Sequence, residues 1–221
     1  MILVGDVFHD SFSVLDDRTQ EINVFFSMLR RNVASENDEV KILRATSLLL
    51  LYNAVEATIT RVILDYHKYL SSKTFVELSE KLKSHYIDLK LSECTPRTSS
   101  YETYINKSKE VVENIVHENT IEFNIAQLEG RLPLSGNIDC EYIARLFKDN
   151  WGIYVANATV PSCITEIKKK RNELAHGRMS FIEVGQNLTV EGPDGLVEYK
   201  DRTMACLRAL LELMDNHVSG V

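Results

Sequence analysis

Residues 161–177 read Pro161-Ser-Cys-Ile-Thr-Glu-Ile-Lys-Lys-Lys-Arg-Asn-Glu-Leu-Ala-His-Gly177, and their spacing predicts a helix from about Pro161 to His176. Apolar residues recur on one face of that helix, at Ile164, Ile167, Leu174 and Ala175. Arg171 lies in the same stripe, where an aliphatic side chain would be expected. Gly177 supplies the left-handed residue that commonly follows a helix. The segment therefore predicts an amphipathic helix that carries a charged group toward the protein interior.

An arginine inside an apolar stripe needs a partner, because burying an unpaired charge costs several kcal/mol. Glu56 lies on the apolar face of an earlier predicted helix and is the candidate partner. This pair is either purely structural, or it holds the guanidinium of Arg171 in a planar, bidentate fork whose free edge can bind phosphate. Asn172 and His176 are four residues apart and stack on the flank of the stripe. His176 is then a functional group or a helix-capping histidine that the helix dipole favours.

The order of residues in this helix resembles the signature of the HEPN superfamily. In that signature an arginine, a polar residue, three further residues and a histidine stand at a helix terminus, as do Arg171, Asn172 and His176 here. A second stretch agrees, Leu48-Leu-Leu-Leu-Tyr-Asn-Ala-Val-Glu-Ala-Thr-Ile-Thr-Arg-Val-Ile63. It is similar to the long early helix of one defence-associated HEPN branch, in which an acidic residue follows an apolar run.

The resemblance implies an all-α fold, a HEPN-like multi-helix bundle, and metal-independent cleavage of RNA in a bacterial defence or toxin–antitoxin system. Cleavage by the 2′-hydroxyl of the substrate needs a base, a group that neutralises charge on the phosphoryl oxygens, and an acid for the leaving 5′-oxygen. His176 suits the base or the acid, since an ordinary imidazole titrates near pH 6.5. Arg171 suits the oxyanion role, and Asn172 would orient the phosphate or the imidazole. Because one histidine cannot easily serve both ends of the displacement, and HEPN nucleases pair two protomers motif to motif, we expect a homodimer.

A binding function is the alternative. Some HEPN domains lack nuclease activity and act as adaptors or as partners of a nucleotidyltransferase, and an acidic chain suits protein–protein contact. The expected partners are RNA for the nuclease, and an antitoxin or another defence-system protein for either function.

The charge of the chain is unevenly distributed. The 221 residues predict a single helical domain over residues 1–221 and carry a net charge of −7. Residues 168–178 alone carry four net positive charges, contributed by Lys168, Lys169, Lys170, Arg171 and Arg178 against Glu173. Such a compact basic spot fits a site that grips a few phosphates, with the three lysines and Arg178 as substrate-binding residues. The lysine run could equally be a solvated helix face.

Cysteine and histidine usage indicates reduced thiols and no metal site or other cofactor. Four separated cysteines, Cys94, Cys140, Cys163 and Cys206, form no metal-ligand spacing and suit a cytoplasmic protein. We expect no signal peptide and no membrane span. The remaining histidines stand alone in the sequence and are predicted to be surface or capping residues, namely His9, His67, His85, His117 and His217.

Apolar spacing predicts the other helices. They span about Leu15 to Val33, Asp38 to Leu70, Thr74 to Leu91, Tyr101 to Val116, Asp139 to Trp151 and Asp201 to His217. Residues 92–100 and 117–138 are predicted to be loops, the second with at most a short strand. Residues 180–199, with the turn Gly192-Pro-Asp-Gly195 between short apolar runs, predict a small β-hairpin appendage.

Overall fold

The computed structural model describes residues 7–32, 36–92, 100–123, 137–156 and 159–220. These residues are mostly helical and hold no β-strand, and one isolated antiparallel bridge joins Thr74 to Thr120. The predicted all-α class is therefore confirmed. Predictions for residues 1–6, 93–99 and 124–136, which include Cys94 and most of the two predicted loops, lie outside the described residues.

The helices follow the chain in the order α1 (His9–Asn32), α2 (Asp38–Leu70), α3 (Glu80–Ser92), α4 (Tyr101–Val116), α5 (Cys140–Arg145), α6 (Cys163–Ala175), α7 (Phe181–Gly185) and α8 (Leu196–Ser219). A 3₁₀ turn, Phe75–Glu77, precedes α3, and a π-helical turn, Leu146–Trp151, continues α5. The chain forms two compact units. One comprises residues 1–65, 132–143 and 156–221, and the other comprises residues 66–131 and 144–155.

The first unit is built on contacts of α1 with α8 and of α6 with both α7 and α8. The buried residues of α1 recur with helical spacing, at Ser11, Leu15, Ile22, Phe26 and Leu29. Polar groups fix the start of α1 on α2, since Ser11 Oγ donates to Asp65 Oδ2 at 2.7 Å and Arg61 pairs with Asp10 and, at 2.9 Å, with Asp65.

The helix α2 begins and ends where the apolar spacing predicts, at Asp38 and Leu70. It is the one helix of the described ranges that is long and apolar enough to cross a membrane, whereas its sequence was expected to hold no membrane span. Within the protein, however, 61% of its most apolar window is buried, as in the core helix of a globular fold. This burial positions Tyr52 and Glu56 beneath α6.

The predicted β-hairpin over residues 180–199 is wrong. Ser180 caps α7 instead, because its Oγ accepts from the Glu183 N–H at 3.2 Å and the Glu183 carboxylate accepts from the Ser180 N–H at 2.7 Å. The turn before α8 does bring the chain back, since the N–H of Leu196 donates to the Thr189 carbonyl at 2.9 Å. From Leu196 onward, however, the residues are helical, so α8 begins five residues before the predicted start at Asp201. A short apolar run is compatible with a strand or with a helix. Here the capping hydrogen bonds between Ser180 and Glu183 select the helix.

A close approach explains the glycine that ends α7. A Cβ atom built on Gly185 would lie 1.8 Å from the carbonyl oxygen of Lys41, in the first turn of α2. Any larger residue would therefore push α7 off the long helix.

The second unit surrounds a cluster of aromatic rings. Trp151 lies 4.8 Å from Tyr66 and 5.1 Å from Phe147, between ring centres. His67 is 1% exposed, and its Nε2 lies 3.1 Å from Nε2 of His85. The prediction that these two histidines are isolated surface or capping groups is therefore wrong. His117, by contrast, is the exposed C-cap of α4.

Candidate active site

The helix α6 ends as its sequence predicts. His176 is the C-cap residue, and its N–H donates to the Asn172 carbonyl at 3.1 Å. Gly177 follows with φ 64°, in the left-handed region, and its N–H donates to the Leu174 carbonyl at 3.1 Å. This geometry puts the histidine side chain at the open end of the helix, one turn beyond Arg171 and Asn172.

Arg171 has the partly buried position that the apolar stripe implies. Its side chain is 22% exposed, and its Nη2 lies 4.0 Å from Oε2 of Glu56, whose side chain is 15% exposed. That separation is an ion-pair distance and exceeds a hydrogen bond, so the carboxylate does not grip the guanidinium in a planar, bidentate fork. Instead, Nη1 of Arg171 donates to Oδ1 of Asn172 at 3.1 Å. The guanidinium is thus held from two sides, by α2 and by its own helix.

A tyrosine of α2 completes the support of Arg171. The guanidinium carbon lies 5.1 Å from the centre of the Tyr52 ring, and this tyrosine is fully buried. A cation over an aromatic face is stabilised by about 0.5–2 kcal/mol, more as water is excluded. This contact was not predicted from the sequence. The available signal is its spacing, because Tyr52 and Glu56 are four residues apart on one face of α2.

The hydroxyl group of Tyr52 joins the two sides of this support. It accepts a hydrogen bond from the Ile138 N–H at 3.0 Å and donates one to the Glu56 carboxylate. Burial raises the pKa of Tyr52 well above its ordinary value, and the negative charge of Glu56 raises it further. The phenol therefore stays protonated and keeps Glu56 oriented toward Arg171.

His176 lies in solvent rather than in the core. Its side chain is exposed, and within the described ranges its imidazole forms no hydrogen bond or ion pair. Asn172 is half-buried, and Lys169 is exposed. Because Lys169, Asn172 and His176 follow each other at intervals of three and four residues, they share the outer face of α6. The structure thus brings Arg171, Asn172 and His176 to one helix end, with Arg171 fixed and His176 free to meet a ligand.

Comparison with known families bears on this arrangement. A family of HEPN domains, described as MAE_28990-like HEPN, matches residues 9–220. The chain is a member of the HEPN superfamily. No curated protein and no solved structure matches it. The family assignment accounts for the helical fold, and HEPN domains are commonly ribonucleases.

The basic spot of this HEPN domain is weaker than its sequence suggests. Lys168 Nζ lies 2.6 Å from Oδ2 of Asp139, and Lys170 Nζ lies 3.2 Å from Oε2 of Glu173. Burial would raise the pKa of Asp139, but its hydrogen bonds, that from Lys168 first, lower it by more. The net charge of residues 168–178 does not include Asp139, because this residue is far from them in sequence. Lys169 and Arg178 are exposed and form no ion pair with any described residue, so they are the cations most available to phosphate.

A depression of about 470 Å³ adjoins the support of Arg171. It lies between α1 and α2, and Glu56, Asn53 and Arg18 are among its lining residues. No group of three His, Cys, Asp or Glu side chains in the described residues is placed to hold a metal ion. The side chains around the motif therefore offer a cation, an amide and an imidazole for chemistry.

Proposed function

We propose that this HEPN domain is a metal-independent endoribonuclease of a bacterial defence or toxin–antitoxin system. One observation carries the proposal. Arg171 is fixed by Tyr52, Glu56 and Asn172 while His176, one turn away, is exposed. A structural remnant would be expected to bury the whole motif, whereas this arrangement leaves a fixed cation beside an accessible imidazole.

In the proposed reaction the 2′-oxygen of a ribose attacks the adjacent phosphorus. A bond forms between that oxygen and phosphorus, the bond from phosphorus to the 5′-oxygen breaks, and the products are a 2′,3′-cyclic phosphate and a 5′-hydroxyl. His176 takes the proton from the 2′-hydroxyl or gives one to the leaving 5′-oxygen. Arg171 stabilises the charge that develops on the phosphoryl oxygens, and Asn172 holds its guanidinium in place. Lys169 and Arg178 bind flanking phosphates.

One motif lacks a second acid–base group, and a second copy of the chain would supply it. In-line displacement needs an acid and a base on opposite sides of phosphorus, and each chain offers one histidine at the motif. A two-fold dimer that faces two motifs across one cleft provides both groups. We therefore propose a homodimer as the active unit, with RNA as substrate and an antitoxin or another defence protein as its regulatory partner.

The test is incubation of the purified protein with total RNA in excess EDTA, followed by analysis of the fragment ends. Cleavage should persist in EDTA and leave cyclic phosphate and 5′-hydroxyl ends. Activity that EDTA abolishes and magnesium restores contradicts the proposed chemistry. A protein that cuts no RNA under either condition would instead support the adaptor function.

A further inference from the structure

The outer face of α1 carries an exposed valine midway between two opposite charges. Val24 is 67% exposed. Asp17 and Arg31 lie seven residues before and after it, and both are exposed. Seven residues are close to two helical turns, so the three side chains form one straight stripe, with each charge about 10 Å from the valine along the helix axis.

These two charges lack the ion pairs that their neighbours form. Arg18 pairs with Glu21 at 2.5 Å, and Arg30 pairs with Glu191 at 2.7 Å. In the described part of the chain, Asp17 and Arg31 form no ion pair, and Arg31 donates only from Nε to the Ser27 carbonyl, at 3.3 Å. The stripe therefore offers one free charge of each sign at equal distances from an apolar centre.

The shape of this surface is a ridge between two grooves. Depressions of about 480 and 790 Å³ flank α1, and Gln20, Val24 and Arg31 line both of them. The larger one also reaches the half-buried apolar residues Phe25 and Met28. It shares Arg18 with the depression beside Glu56, so the ridge is continuous with the surface next to the candidate active site.

We propose that a second copy of this chain docks on this stripe, with the two α1 helices antiparallel and the two-fold axis passing at Val24. In that register residue i of one chain faces residue 48 − i of the other. Val24 then meets the partner's Val24, and Asp17 meets the partner's Arg31 twice, by symmetry. A second copy is the occupant that fits these charges, because in an antiparallel copy each charge meets its opposite at equal distances from Val24. This inference rests on the dimer of the proposed function and names its surface.

Charge reversal tests the register, with sedimentation velocity over a concentration series as the readout. Asp17→Arg and Arg31→Asp should each raise the dissociation constant of the dimer by about tenfold or more, because each places like charges together at two symmetric positions. The double variant Asp17→Arg, Arg31→Asp should have a dissociation constant within about threefold of the wild-type value, because the ion pairs are re-formed with inverted sign. Thermal unfolding of each variant, followed by circular dichroism, checks that the exposed substitutions leave the fold intact.

A matched pair of valine substitutions tests the centre of the interface. Val24→Asp should dissociate the dimer, because it sets two carboxylates face to face on the axis. Val112→Asp, at a valine of α4 that is 56% exposed, should not. A wild-type protein that stays monomeric at high micromolar concentration overturns this inference and the proposed dimer together. A dimer that is insensitive to the single reversals, or one that the double reversal does not restore, overturns only the α1 register, and RNA cleavage in EDTA remains a separate test.

Discussion

The guanidinium carbon of Arg171 lies 5.1 Å from the centre of the Tyr52 ring. This contact explains how a charged residue can follow Ile167 in an apolar stripe. The side chain of Arg171 is 22% exposed, and its charged end meets the electron-rich face of a buried ring. The arginine is thereby held in one position, as its proposed role in stabilising a developing charge requires.

Tyr52→Phe separates the ring from its hydroxyl group. The ring face beneath Arg171 remains, but the Ile138 N–H, buried in a residue that is 1% exposed, loses its acceptor. We expect the free energy of unfolding to fall by about 1–3 kcal/mol while most of the RNA cleavage is retained. Tyr52→Leu, which also removes the aromatic face, should lower cleavage much further. Urea denaturation and cleavage rates measured on both variants check this, and equal losses of activity would argue against a role for the ring.

His176→Ala should lower the turnover of RNA cleavage by about 10² to 10⁴, the usual contribution of a positioned acid or base. The melting temperature should barely change, because the imidazole is exposed and forms no hydrogen bond or ion pair in the described ranges. His117→Ala is the matched control, since His117 is also an exposed helix C-cap, with φ −96° and ψ 5° against −90° and 4° at His176. If His176→Ala unfolds the protein at a lower temperature and His117→Ala does not, His176 is a structural cap.

Two neighbouring lysines should behave differently. Lys169 is exposed without an ion pair in the described residues, so Lys169→Ala should weaken RNA binding and reduce the slope of log affinity against log salt by about one unit. Lys168 is held by Asp139 at 2.6 Å, so Lys168→Ala should leave the salt slope nearly unchanged and cost stability instead. Binding titrations at several salt concentrations distinguish the two. Slopes that stay unchanged in both variants would mean that the lysine run acts only as a solvated face.

Most of the fold that could be predicted follows from the spacing of apolar residues within single helices. Both ends of α2 and the end of α6 follow from apolar periodicity and from Gly177, because these signals depend only on neighbouring residues. The predicted hairpin failed because the capping bonds between Ser180 and Glu183 stabilise a helix in a run too short for its period to decide.

The candidate site was predictable only in part, because some of its contacts come from residues that are distant in sequence. Arg171 signalled a buried partner through its position in the stripe, and Glu56 lies within 4.0 Å of it. The ring of Tyr52 and the carboxylate of Asp139 come from distant segments that no local pattern links to α6. Tertiary packing supplies these contacts, and they alter both the support of the arginine and the charge of the basic spot.

Acid should weaken the second unit through its histidine pair. Burial lowers the pKa of His85 below its ordinary value of 6.5, and Asp88 opposes this shift. The unfolded chain therefore binds a proton more readily than the folded one. The contribution to stability is complete above about pH 6.5 and is lost as pH falls toward the lowered pKa. Urea denaturation between about pH 5 and pH 7.5 should show this loss.

His85→Gln, which cannot titrate, should flatten that dependence. His217, whose pKa burial also lowers, would contribute in the same direction, so His217→Gln is the control that isolates the pair. The carboxylates with lowered pKa, such as Glu110, lose their contribution at lower pH and fall outside this window. An unchanged pH profile in His85→Gln would show that the contact between His67 and His85 is not coupled to folding.

Mixing two inactive variants tests whether the cleft is shared between chains. His176→Ala and Arg171→Ala homodimers should each be inactive, since every cleft lacks both copies of one group. In the mixed dimer the cleft retains one His176 and one Arg171, contributed by different chains, so part of the RNA cleavage should return. Mixing His176→Ala chains with the double variant Arg171→Ala, His176→Ala is the control, because no combination then restores the imidazole. Cleavage is measured after the chains have exchanged at low concentration and been returned to a concentration at which they pair. Mixtures that stay inactive although sedimentation shows that heterodimers have formed would mean that one His176 and one Arg171 from different chains do not make a working cleft.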